Sequence, residues 1–177
     1  MDAAAGTGTR AVVVVMGVAG AGKSTLAAAL SERLDAVLVE ADDLHTAEAK
    51  AQMAAGIPLT DADRWPWLAR VAARARDEHQ AGHPVVVSCS ALKRSYRVFL
   101  TRVSETDPAF VHVHGSEEAL AERIGQRTGH FMPASMLASQ LATLELLADD
   151  ERGFVVDLEL PVIDAADRAL ASLRRNV

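Results

Sequence analysis

Eight consecutive residues, Gly17-Val18-Ala19-Gly20-Ala21-Gly22-Lys23-Ser24, fit the pattern G-x-x-x-x-G-K-[ST] in full. Glycines so placed let the backbone curl until its N–H groups converge on phosphate oxygens. The lysine of such a loop reaches the β- and γ-phosphates, and the hydroxyl after it binds Mg²⁺. Gly17, Ala19, Gly20, Ala21, Gly22, Lys23, Ser24 and Thr25 are therefore the candidate ATP-binding residues, with Lys23 catalytic and Ser24 on the metal. A bare glycine-rich turn would use the same residues. The apolar run before the loop and the helical pattern after it favour the phosphate site.

Such a loop names the donor and leaves the acceptor open. Four later segments carry groups that could serve it. Glu40-Ala41-Asp42-Asp43-Leu44-His45 follows a second short apolar run. Asp42 is its candidate catalytic carboxylate, able to take the proton of an attacking hydroxyl and to hold Mg²⁺ through water. The same acids could equally cap the next helix. In Asp61-Ala62-Asp63-Arg64-Trp65-Pro66-Trp67-Leu68, Arg64 could clamp an anionic substrate, or the segment could be a capped helix start with packed tryptophans. In the stretch from Ser88 to Arg97, two hydroxyls with Lys93, Arg94 and Arg97 suit a polyhydroxylated acidic substrate; a solvated helix face is the plain alternative. Cys89 reads as a packed side chain, since no base stands near it. Finally, Arg123 and Arg127 lie one helical turn apart before Gly129-His130-Phe131-Met132-Pro133. They fit a mobile lid over ATP, residues 123–140, whose arginines neutralise the transferring phosphoryl group; a helix hairpin with surface arginines is the alternative.

These segments need a frame. Apolar runs near residues 11–16, 36–39, 84–88, 109–113 and 154–158 predict strands. Helical patterns near 24–34, 46–54, 61–81, 93–103, 116–127, 133–147 and 161–174 separate them, with Ser116 as an N-cap. The alternation predicts an α/β, three-layer fold: a five-stranded parallel sheet with helices on both faces and a helical lid. Ligands in such sheets sit at the carboxyl ends of the strands, where every polar segment above falls. The 177 residues, half of them hydrophobic, suit one domain, with residues 1–10 as a flexible leader. The net charge of -6 argues against a nucleic-acid partner. One cysteine, no apolar run long enough for a bilayer and no signal-peptide layout point to the cytoplasm and away from a membrane.

Taken together, the chain resembles the gluconokinase family over about residues 11–158. The resemblance rests on residues 17–24, Asp42-Asp43-Leu44-His45, Gly56-Ile57-Pro58-Leu59-Thr60-Asp61, Asp63-Arg64-Trp65-Pro66-Trp67-Leu68, Cys89-Ser90-Ala91-Leu92-Lys93 with Tyr96-Arg97, and Gly129-His130-Phe131, in that order. Ser139-Gln140 and Thr143-Leu144-Glu145 continue it. It implies ATP:D-gluconate 6-phosphotransferase activity, an adenylate-kinase-like fold, Mg²⁺ dependence and a homodimer. It also implies that Asp42, His45, Arg64, Lys93, Arg97, His130 and Gln140 line the gluconate pocket, with Arg123 and Arg127 in the lid. Glu40-Ala41 stands where the family usually has Asp-Gly, and Ala19 and Ala21 where it has serines. Two other readings stand beside this one: a related kinase acting on shikimate or another sugar acid, and a non-catalytic nucleotide switch. No guanine-reading Asn-Lys-x-Asp occurs in the chain, which counts against the switch.

Overall fold

Valine-rich segments too short for helices form the centre of the molecule. The structure, a computed structural model, describes residues 11–125 and 134–175. The leader at 1–10, Arg127 and His130 lie outside the described residues.

Five strands form one parallel sheet: β1 (Val12–Met16), β2 (Val37–Glu40), β3 (Val85–Ser88), β4 (Ala109–His114) and β5 (Gly153–Asp157). Their order across the sheet is β2-β3-β1-β4-β5. All five residues of β1 are buried, because helices cover both sheet faces and each face needs apolar side chains. Val13 and Val15 join one core with Leu26, Leu30, Val111 and Leu120. Val12, Val14 and Met16 join the other with Trp67, Leu68, Tyr96 and Leu100. The predicted three layers are thus present.

The helices are α1 (Lys23–Leu34), α2 (Ala47–Ala54), α3 (Asp61–Gln80), α4 (Arg94–Ser104), α5 (Glu117–Gly125), α6 (Ala134–Thr143) and α7 (Val162–Arg175). Their starts divide into two kinds. Thr46 Oγ1 accepts from Ala49 N–H at the head of α2, Thr60 and Asp63 form a reciprocal capping box on α3, and Ser116 Oγ accepts from Ala119 N–H at α5. By contrast, α1 begins on Gly22 (φ 97°), with no side-chain cap and no acid in its first turn. Its orphan N–H groups are left for an anion.

Two local details and one shifted boundary bear on the site. Residues 41–44 form a 3-10 turn, which carries Asp42 directly after β2. Pro66 lies in the second turn of α3, since the Thr60 cap starts the helix five residues before it. The helix expected to run to residue 147 ends at Thr143. There the chain leaves helical bonding for tertiary partners: Glu145 N–H donates to Leu92 O at 2.8 Å, and Arg97 takes the carbonyls of Glu145 and Leu146.

His112, in the middle of β4, is fully buried, and neither ring nitrogen has a hydrogen-bond partner. Burial, helped by the nearby His114 and Arg97, pushes its pKa down from 6.5 to about 4. The unfolded chain therefore takes up this proton below pH 6.5, while the folded chain refuses it until about pH 4. Stability from this group is complete above pH 6.5 and falls as pH drops through that window, by about 3 kcal/mol in all. Urea midpoints between pH 7 and 5 should fall in the wild type, and His112→Leu should flatten most of that slope.

Candidate active site

The phosphate loop sits at the carboxyl end of β1, where the sheet order reverses and the loops on its two sides part. Gly17 must be glycine for two reasons. Its φ is 143°, and a Cβ there would lie 2.6 Å from Val113 O. Its N–H donates to Ser90 O at 3.2 Å, which ties the donor loop to the segment after β3. Lys23 Nζ donates to Val18 O at 3.0 Å, across the mouth of the loop.

Ser24 Oγ lies 3.2 Å from Glu40 Oε2 and 3.3 Å from Ser88 Oγ. Three oxygens from α1, β2 and β3 thus converge beside Lys23. This hard donor set fits Mg²⁺, which prefers few protein ligands and shares itself with phosphates. Among the described residues no group of three or more His, Cys, Asp or Glu is placed to hold a metal. The sequence favours Asp42 as the carboxylate near the metal, whereas the structure brings Glu40 to Ser24. The position of Glu40 as the last residue of β2 was the available signal.

On one side of the loop opens a cavity of about 390 Å³. Lys23, Asp42, His45, Arg64, Ser90 and Gln140 are among its walls. Asp42 stands at its solvent side, with a carboxylate oxygen 4.0 Å from His45 Nε2. His45 stacks on Trp67, centroids 4.3 Å apart and planes 12° from parallel, and Trp67 Nε1 is anchored on Ala41 O at 2.7 Å. Burial holds His45 below the ordinary histidine pKa, against the opposing pull of Asp42, so its ring is neutral near pH 7. Gln140, from α6, reaches the donor loop: Ala19 N–H donates to its Oε1 at 2.7 Å. Asp42, His45, Arg64 and Gln140 thus line one cavity.

Two other residues do not. Arg97 is 1% exposed. It makes a bidentate pair with Glu151, 2.6 and 2.9 Å, and spends its remaining donors on the carbonyls of Ala91, Leu92, Glu145 and Leu146. The guanidinium braces the wall from behind and does not line the cavity. Lys93 is also absent from the wall, because Asp61 holds its Nζ at 2.8 and 3.0 Å. Helical spacing places both cations after β3, but only the fold decides which carboxylate reaches them first. Cys89 is buried and its thiol is pushed up to about 12 by that burial, which matches an inert packed side chain.

A second cavity, about 300 Å³, opens on the opposite side of the loop, bounded by Gly20, Gly22, Thr25, Arg123 and Leu158. Arg123, expected over the transferring phosphoryl group, is instead fixed here: its Nη1 donates to Ala21 O at 3.1 Å and to Leu158 O at 2.6 Å.

A family profile described as an AAA domain matches residues 12–147, which contain the phosphate loop and the first cavity. A gluconokinase from Gluconobacter oxydans (strain 621H) is 52% identical over 139 residues, 78% of each chain. The chain belongs to the gluconokinase family. The crystal structure of a gluconokinase from Sinorhizobium meliloti 1021 superposes with a TM-score of 0.86 at 48% identity, covering 94% of this chain and 93% of that one. An unliganded sugar kinase from Janibacter sp. HTCC2649 superposes with a TM-score of 0.88 at 46% identity, covering 93% and 94%. Membership of this kinase family makes the phosphate loop a nucleotide site.

Proposed function

We propose that this chain transfers the γ-phosphoryl group of ATP to the 6-hydroxyl of D-gluconate, giving 6-phosphogluconate and ADP. One observation carries the reading. A single cavity holds the donor lysine Lys23, the carboxylate of Asp42 and the guanidinium of Arg64. Donor and acceptor can therefore meet in one cavity.

Asp42 accepts the proton of the 6-hydroxyl as its oxygen bonds to the γ-phosphorus, and the bond from that phosphorus to the β-phosphate oxygen breaks. Lys23 and the loop amides hold the charge that shifts onto the leaving ADP. When bound, Mg²⁺ supplies further neutralisation of the phosphates; Ser24 and Glu40 would hold it, directly or through water, with Asp42 nearby. Arg64, in the wall of the same cavity, binds the gluconate carboxylate. Neutral His45, Gln140 and His130 meet hydroxyls. The second cavity, with Thr25 and Arg123, takes the nucleoside end of ATP. Arg127 completes the charge around the phosphoryl group from the lid. Family likeness alone supports the wider setting, a cytoplasmic homodimer. No helix among the described residues is long and apolar enough to cross a membrane.

The test is a coupled assay with purified protein, ATP, Mg²⁺ and D-gluconate. Gluconate-dependent ADP release is expected, and release no faster than without gluconate sinks the reading. Within it, Arg64→Ala should raise the gluconate KM by about a hundredfold and leave kcat within a few-fold, because a carboxylate far from the reacting atoms is bound equally in ground and transition states. A fall in kcat at unchanged KM would remove Arg64 from this role.

A further inference from the structure

An arginine that must meet a substrate carboxylate faces two problems. Its long side chain has many conformers, and the nearest protein carboxylate competes for its charge. Arg64 lies one turn into α3, with Asp61 on the same helix face. Asp61 does not take it. The hydroxyl of Tyr96, from α4, stands between them: it accepts from Arg64 Nη1 at 3.0 Å and donates to Asp61 Oδ1.

We propose that Tyr96, oriented by Asp61, is a positioning residue that aims the Arg64 guanidinium into the acceptor cavity while leaving its charge unneutralised. The inference rests on the reading that Arg64 binds the acceptor's carboxylate. A phenol can hold a guanidinium without cancelling it; a carboxylate in the same place would form an ion pair that the substrate must break. Asp61 is answered on its other side by Lys93, whose ammonium and hydrogen bonds hold this carboxyl below its usual range. Lys93 therefore serves the site by occupying Asp61 and not by touching the acceptor.

The ring itself cannot wander. Tyr96 is 1% exposed, Trp65 meets it edge-on at 5.2 Å, and Arg64 and Lys93 lie 5.7 and 5.5 Å from its centroid. Taken together, Arg64, Lys93 and Asp61 carry one net positive charge, which matches an acceptor with a single carboxylate.

The experiment is a double-mutant cycle on the full chain with Tyr96→Phe, Arg64→Ala and the pair, reading kcat and both KM values. Tyr96→Phe keeps the packed ring and removes only the hydroxyl. It should raise the gluconate KM about tenfold, with kcat and the ATP KM within about twofold of wild type. In the Arg64→Ala background the same change should move the gluconate KM by less than about twofold, since nothing is left to aim. An equal effect in both backgrounds, or none in the wild type while Arg64→Ala has its full effect, overturns the proposal. If Arg64→Ala itself leaves the gluconate KM unchanged, the carboxylate reading has failed and the positioning role falls with it. Should Tyr96→Phe not fold, Asp61→Ala removes the oxygen that accepts from the Tyr96 hydroxyl: it should raise the gluconate KM several-fold at unchanged kcat, and no rise overturns the proposal.

Discussion

Lys23→Ala is expected to lower kcat by about a thousandfold while leaving the gluconate KM within a few-fold of wild type. The magnitude follows from what the ammonium does. It stands in a loop whose amides already converge, so it adds a fixed charge where charge develops, and removing one such donor costs about 3–4 kcal/mol of transition-state stabilisation. Competing effects are smaller. The Lys23–Val18 contact closes the loop on itself, and losing one ordinary hydrogen bond costs about 1 kcal/mol. Steady-state kinetics with saturating ATP separates the two. A loss in kcat below about tenfold would mean that the amides and the metal carry the phosphoryl charge without this lysine.

Arg97→Met should be the most damaging single change to folding. The side chain is buried and its charge is matched by Glu151; removing it leaves that largely covered carboxylate without its cation and takes the donor from the carbonyls of Ala91, Glu145 and Leu146. Breaking a buried pair from one side costs about 3–5 kcal/mol, and for a chain of this size that is roughly a 10 °C drop in Tm. The double variant Arg97→Met with Glu151→Leu separates charge from shape: it should recover a good part of the loss, because no charge is then left unpaired. Urea unfolding of the three proteins checks it. If the double variant is no more stable than the single, the carbonyl contacts and not the ion pair dominate.

The contrast between these residues shows what could be read from the amino acids. Lys23, Ser24 and Asp42 were legible because local geometry fixes them: a loop closed by glycines or a corner just after a strand leaves a side chain few places to go. The sheet was legible for the same reason, since five short β-branched runs separated by helical patterns allow little else. Arg97 and Lys93 were not. A helix puts a cation on a face, but whether that face meets substrate or a distant carboxylate depends on Glu151 and Asp61, 54 and 32 residues away. The end of α6 was missed on similar grounds. Its sequence continues to favour helix past Thr143, and bonds to Leu92 and Arg97 override it. Glu40 and Asp42 stand two residues apart, and only the fold shows that it is Glu40 that Ser24 approaches.

The bond from Ala19 N–H to Gln140 has a consequence for how the two ligands sense each other. A phosphate arriving at that amide does not satisfy an orphan; it displaces an amide oxygen that is already in place. If a phosphate takes that amide, nucleotide binding is an exchange, and it sets loose a side chain in the wall of the first cavity, the one proposed for the acceptor. An acceptor that prefers Gln140 turned away from the loop then lowers the barrier to the nucleotide's entry. By reciprocity, the nucleotide strengthens the acceptor's binding by the same factor. On that exchange, one glutamine would make the occupancy of each half of the site depend on the other.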